Sequence, residues 1–208
     1  NVAPTSGTIS GRPTSATTIR RPRPTGSYSG HRLSVGMLMN MAKRPLGRTG
    51  LMVSPFTLGS MEFGSKTSEE EATRLFDLAM DAGINVVDTA NIYAGGLSEK
   101  IVGRLIGPKR DRLVLATKFY VPTDEDDPNS GGTSRRAVIA ACEASLRQLN
   151  TDHLDIYYIH RPSTQTAIDE TLRALDDLVH AGKIRYIGTS GFAGWQLDLL
   201  KKGGKDVI

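Results

Sequence analysis

The chain has 208 residues, enough for one domain with a sizeable core, and its 38% hydrophobic and 23% charged content is that of a globular protein. Its formal charge of +4 is unevenly spread: residues 1–44 hold seven Lys and Arg and no acid, so the other 19 basic residues face 22 acids and net −3. The folded part therefore gives no reason to expect a nucleic-acid partner, and no apolar run approaches the roughly 18 residues of a membrane span.

Residues 1–40 are rich in Ser, Thr, Pro, Gly and Arg and show no periodicity. Such a stretch cannot bury enough apolar surface to offset its ordering entropy. It reads as a basic tail or upstream sequence over 1–43. Arg-rich, acid-free composition also suits an organelle transit peptide, but Met37, Met39 and Met41 just before the periodic part favour the first two readings. The chain opens on Asn1 and stops after Asp206-Val207-Ile208, so both ends are expected to be cut.

From Pro45 onward short apolar runs alternate with amphipathic stretches. Phe56–Gly59 predicts a strand. Thr67-Ser68 followed by Glu69, Glu70 and Glu71 predicts a capped helix, with Ala72, Leu75, Phe76, Ala79 and Met80 on one face and Gly83 as its stop. Asn85–Asp88 is the next strand, Ser98–Ile106 a helix and Leu113–Thr117 a third strand. Ser134–Leu149 is a helix carrying Cys142 in its middle. The only cysteine precludes an internal disulfide and suits a reducing, cytoplasmic setting, and its place predicts a buried thiol, not a nucleophile. Leu154–Ile159 is a strand, Thr166–Ala181 a helix closed by Gly182, Ile184–Gly188 a fifth strand, and a last helix spans about 194–201.

Strict strand–helix alternation implies a parallel α/β sheet with right-handed crossovers. An open doubly wound sheet and a (β/α)8 TIM barrel both satisfy it. No G-x-G-x-x-G follows the first strand, so the nucleotide fingerprint of the doubly wound class is missing.

In a barrel enzyme the chemistry collects at the C-terminal strand ends. Those positions here are Gly59-Ser60-Met61, Asp88-Thr89-Ala90, Lys118, His160 and Ser190-Gly191, with Tyr93 in the loop beyond Asp88. Each has a plainer reading: Asp88 as a loop anchor, Lys118 as a snorkelling lysine, His160 as a partner for a loop carbonyl, Tyr93 as a half-buried aromatic. Four coincidences at successive strand ends favour a site. The set suits proton transfer to a carbonyl oxygen: a phenol as acid, an ammonium beside it, a carboxylate holding the ammonium, and a neutral imidazole orienting the substrate oxygen. No side chain supplies a hydride, so a reduced cofactor is implied. Asp124–Asp127 reads as a solvated loop, His153 and Asp155 as structural residues at the opposite face, and no Cys/His spacing suggests a metal.

The run Asp88-Thr-Ala-Asn-Ile-Tyr93-Ala-Gly-Gly-Leu-Ser98-Glu99-Lys-Ile-Val-Gly103 resembles the aldo-keto reductase signature. Further matches are Pro45–Ser54, Leu115-Ala-Thr-Lys118, Ser145–Asp155, Ile159-His160-Arg-Pro162 and Gly182–Gly188. The resemblance covers about residues 44–200 and is nearest the branch related to potassium-channel β-subunits. It implies a (β/α)8 barrel, here truncated to about five βα units over 44–208. It also implies NADPH-dependent reduction of a small aldehyde or ketone. By the resemblance Asp88, Tyr93, Lys118 and His160 are the catalytic set, with Tyr93 the proton donor. Gly59, Ser60, Met61 and Asp88 match positions near the nicotinamide end of the cofactor. Ser190 matches a carboxamide contact, and Gly191 stands where the family often has Asn. NADPH over NADH follows from the family alone, because most contacts to the adenosine phosphate come from later units. A cofactor-binding regulatory subunit and an inactive fragment are the rival readings, and no oligomeric state follows.

Overall fold

The computed structural model describes residues 41–202; the basic stretch 1–40 and residues 203–208 lie outside the described residues. It opens with an antiparallel hairpin, β1 (Arg44–Pro45) and β2 (Met52–Val53), with Arg44 opposite Val53. Leu46 N–H donates to Leu51 O at 2.8 Å and closes the turn. The sequence reading did not foresee this hairpin, because two-residue strands carry no periodicity.

The alternating part follows as expected: β3 (Leu58–Gly59), α1 (Glu69–Asp81), β4 (Val86–Asp88), α2 (Leu97–Ile106), β5 (Val114–Phe119), α3 (Arg135–Leu149), β6 (Leu154–Ile159), α4 (Ile168–His180), β7 (Ile184–Thr189) and α5 (Gly194–Lys202). Ser68 and Ser134 cap α1 and α3, accepting from Glu71 N at 3.2 Å and Ala137 N at 3.3 Å. The first strand is shorter than predicted, and β5 runs two residues further, through Lys118 and Phe119.

Strands β3 to β7 form one parallel sheet in sequential order. A doubly wound sheet reverses its order at a switch point. No reversal occurs here, so the sheet winds one way, with β3 and β7 as its edges among the described residues.

Alternation along the strands sorts their side chains into two layers. On the helix side Val87, Leu115, Phe119, Tyr157 and Ile159 pack with Phe76, Val138, Leu146 and Leu175. On the other side Val86, Val114, Ala116 and Ile156 pack with Val53 of the hairpin and with Leu46 and Leu51. Val86 and Val114 begin their strands, so the hairpin closes the N-terminal end of this inner layer.

The α2–α3 contact turns on one glycine. A Cβ on Gly103 would lie 2.7 Å from the Gln148 carbonyl oxygen and 2.7 Å from the Leu149 carbonyl carbon. Those are backbone atoms of α3 and cannot swing aside. In the complete protein Gly103→Ala is expected to lower unfolding free energy by about 1–3 kcal/mol, the usual cost of overpacking. Urea unfolding with an unchanged midpoint would show that the helices do not meet this closely.

Candidate active site

Asp88 ends β4, Lys118 is the penultimate residue of β5, and His160 directly follows β6. The ladder continues past the strands: Ser60 N–H donates to Asp88 O (2.9 Å), Asn91 N–H to Lys118 O (3.2 Å), His160 N–H to Phe119 O (2.9 Å) and Ser190 N–H to Ile159 O (2.9 Å). The predicted residues are thereby held at one end of one sheet. Lys118 shares strand parity with Val114 and Ala116 and so belongs to the inner face.

The Lys118 side chain is only 7% exposed as a residue, and its ammonium has three acceptors. Nζ donates to Asp88 Oδ1, to the Thr89 carbonyl at 2.8 Å and to Tyr93 Oη at 3.2 Å. It also lies 4.9 Å from the Tyr93 ring centroid. A buried ammonium is tolerable only when it is paired and hydrogen-bonded, and here a carboxylate and two oxygens meet that need.

Tyr93 reaches this position through an unusual turn. Ala94, Gly95 and Gly96 have φ of 49°, 61° and 89°, three left-handed residues in a row. Two are glycines, for which that region is open, while Ala94 tolerates it at some strain. The turn leads straight into α2.

His160 stands edge-on to Tyr93, with ring centroids 5.9 Å apart. Burial depresses its pKa below the ordinary 6.5, the Lys118 and Arg161 charges add to that, and Asp88 opposes it. The imidazole is therefore neutral at physiological pH. Its Nδ1 is buried and has no hydrogen-bond partner among the described residues.

The remaining predicted residues flank this group. Gly59 ends β3 and Met61 lies beyond it, both exposed, and Ser190 and Gly191 follow β7, half-buried and exposed. Ser60 differs from them: its side chain is fully buried and its hydroxyl is engaged with Asp88 O at 3.0 Å and Ser98 Oγ at 2.9 Å. Its hydroxyl thus faces the protein interior. Asp155 lies at the start of β6, where it accepts from Leu115 N–H (2.8 Å) and pairs with Arg110 (2.9 Å), a structural tie far from Lys118. Among the described residues no group of His, Cys, Asp and Glu could hold a metal.

Sequence reasoning missed two features. The Thr89 carbonyl is a backbone ligand with no residue-type signal. Glu99, fully buried on α2, accepts from Thr117 Oγ1 at 2.6 Å; its charge on an inward helix face was a visible clue. Burial lifts its pKa above the ordinary 4.5, with the Thr117 hydrogen bond opposing. The folded state then holds this proton more tightly than the unfolded chain. Its contribution to stability is full below about 4.5 and is lost as pH rises through the folded value. In the complete protein Glu99→Gln, neutral at all pH, should raise Tm by a few degrees near pH 8, with the gain shrinking toward pH 5. A gain independent of pH would sink this account.

Comparison with known proteins agrees with the geometry. The aldo/keto reductase family model matches residues 55–208. The chain is 44% identical over 164 residues to the oxidoreductase YrpG of Bacillus subtilis, covering 73% of this chain and 50% of that protein. It is 37% identical over 181 residues to versiconal hemiacetal acetate reductase of Aspergillus parasiticus, covering 75% and 52%. It is 35% identical over 161 residues to a probable voltage-gated potassium channel subunit beta of Oryza sativa, covering 76% and 48%. The chain spans about half the length of the curated relatives it matches. A one-way parallel sheet, with Asp, Tyr, Lys and His gathered at its strand ends and a family match over most of the sequence, places this chain in the aldo/keto reductase family.

Proposed function

We propose that this chain carries the proton-transfer half of an NADPH-dependent reductase that converts a small aldehyde or ketone to its alcohol, within a complete (β/α)8 barrel. The supporting observation is the Lys118 ammonium held between the Asp88 carboxylate and the Tyr93 phenol. Tyr93 gives its proton to the carbonyl oxygen of the substrate as that oxygen gains charge. Lys118 stabilises the phenolate left behind, and Asp88 balances and orients Lys118. Neutral His160 keeps one N–H to donate to the same oxygen and set its direction.

The described residues fit the nicotinamide end of such a cofactor. They offer proton donors but nothing that releases hydride, which the cofactor supplies when bound. The floor for a flat ring is open: no heavy atom lies within 4 Å of a Cβ built on Gly59, and only the His160 carbonyl, at 3.8 Å, lies near one built on Gly191. Gly59, Met61, Ser190 and Gly191 would border the ring, with Ser60 shaping the loop from behind. NADPH in preference to NADH is taken from the family. Cys142 is free and buried, and its thiol is pushed up to about 12 by burial, so it takes no part. A cytoplasmic setting accords with that unpaired thiol, and no described helix is long and apolar enough to cross a membrane.

The complete protein, mixed with NADPH and 4-nitrobenzaldehyde, should lose NADPH absorbance at a rate that saturates with aldehyde. The similarity to a channel β-subunit favours a second reading, a subunit that binds cofactor without useful turnover. Tight NADPH binding with no oxidation by any aldehyde would select it.

A further inference from the structure

Behind the four strand-end residues lies a cluster of buried polar side chains that the proton transfer does not itself use. Ser60, Thr89 and Ser98 are all fully buried. Ser98, in the first turn of α2, is their centre: its Oγ lies 2.8 Å from Ser60 O, 2.9 Å from Ser60 Oγ and 3.1 Å from Thr89 Oγ1. A hydroxyl has one proton and two lone pairs. The set closes with no unpaired donor when Thr89 donates to Ser98, Ser98 donates to the Ser60 carbonyl, and Ser60 donates to the Asp88 carbonyl.

This is not helix capping. The N-cap of α2 is Gly96, which has no side chain to offer, and the three contacts of Ser98 go to the loops after β3 and β4. The loop after β4 holds Lys118, and the loop after β3 is bonded to that loop's first residue, Asp88. The Thr89 carbonyl is one of the three acceptors around its ammonium, and the Asp88 carbonyl receives both Ser60 N–H and Ser60 Oγ–H. Ser98 therefore ties the Asp88–Thr89 turn, which holds the ammonium, to the turn after β3.

We propose that Ser98 is a positioning residue for proton transfer, fixing the Asp88–Thr89 turn and through it the reach of Lys118 to Tyr93. The proposal rests on the reductase reading above. Removing the hydroxyl leaves the Thr89 hydroxyl buried without its acceptor and the Ser60 carbonyl without that donor. The turn then relaxes, and misplacement of a reacting group by a fraction of an ångström is felt in the rate.

In the complete protein, Ser98→Ala should lower kcat for aldehyde reduction about tenfold and change KM less than twofold, with Ser98→Thr recovering most of kcat. Leu178→Ala, a core truncation on α4 far from the strand ends, is the control for lost stability: it should lower Tm at least as much and leave kcat alone. If Ser98→Ala does not fold, Thr89→Val takes its place, since it removes one hydroxyl of the set at constant shape, with a kcat loss of about threefold expected. A crystal structure of the variant gives a reading without turnover: Lys118 Nζ should withdraw beyond hydrogen-bonding distance of the Thr89 carbonyl. Wild-type kcat in Ser98→Ala or its substitute, or an unmoved Lys118, overturns the proposal. An inactive wild-type protein would instead remove the reductase reading, and the position of Lys118 would then decide the role of Ser98 alone.

Discussion

Replacing Tyr93 by phenylalanine in the complete protein is expected to lower kcat for aldehyde reduction by about 10²–10⁴, the usual worth of a positioned general acid. The substitution deletes one oxygen, the one 3.2 Å from the Lys118 ammonium, and leaves the ring and its edge-on contact with His160 in place. NADPH affinity, read by quenching of its fluorescence, should be nearly unchanged because Tyr93 is not among the residues proposed to border the cofactor ring. Lys118 loses one of three acceptors but keeps Asp88 and the Thr89 carbonyl, so the fold should survive. Wild-type turnover in the phenylalanine variant would remove Tyr93 from its role and leave the lysine–carboxylate pair as a structural feature.

The 208-residue chain alone should show no NADPH oxidation, although all four of these residues are in place. Edge strands β3 and β7 each have one neighbour among the described residues, and unpaired parallel edges invite association with other chains. The inner apolar layer is open on one side as a groove of about 420 Å³ lined by Leu46, Val53, Val86, Ile156 and Tyr158. Helix α1 exposes Leu75 and Leu78, at 37% and 64%. In the complete barrel proposed above, further units would pack on these surfaces. Without them the far end of the cofactor has no support, and the binding energy that would hold the nicotinamide over the carbonyl is lost. Size-exclusion chromatography should show aggregate, and melting should lack cooperativity. A soluble, cooperatively melting chain with measurable turnover would show that another chain completes the barrel.

Much of this protein was legible in one dimension. The five strand–helix units stand out because their helices carry apolar stripes at the helical period, and two of them begin at a capping serine, Ser68 and Ser134. Asp88, Lys118 and His160 stand out because a charged or polar residue finishing an apolar strand has nowhere to go except the strand-end face. Tertiary structure decided the rest, for reasons of distance. The direction of winding depends on which strands become neighbours, and periodicity within a strand does not encode that. The β1–β2 hairpin is too short to show a period. The contact between Tyr93 and Lys118 spans 25 residues and needs three left-handed residues to bring it about. The Thr89 carbonyl and the Ser60–Ser98–Thr89 cluster were invisible for a different reason: a backbone oxygen has no residue identity, and serine and threonine look alike on the surface and in the core until packing removes water and makes each hydrogen bond necessary.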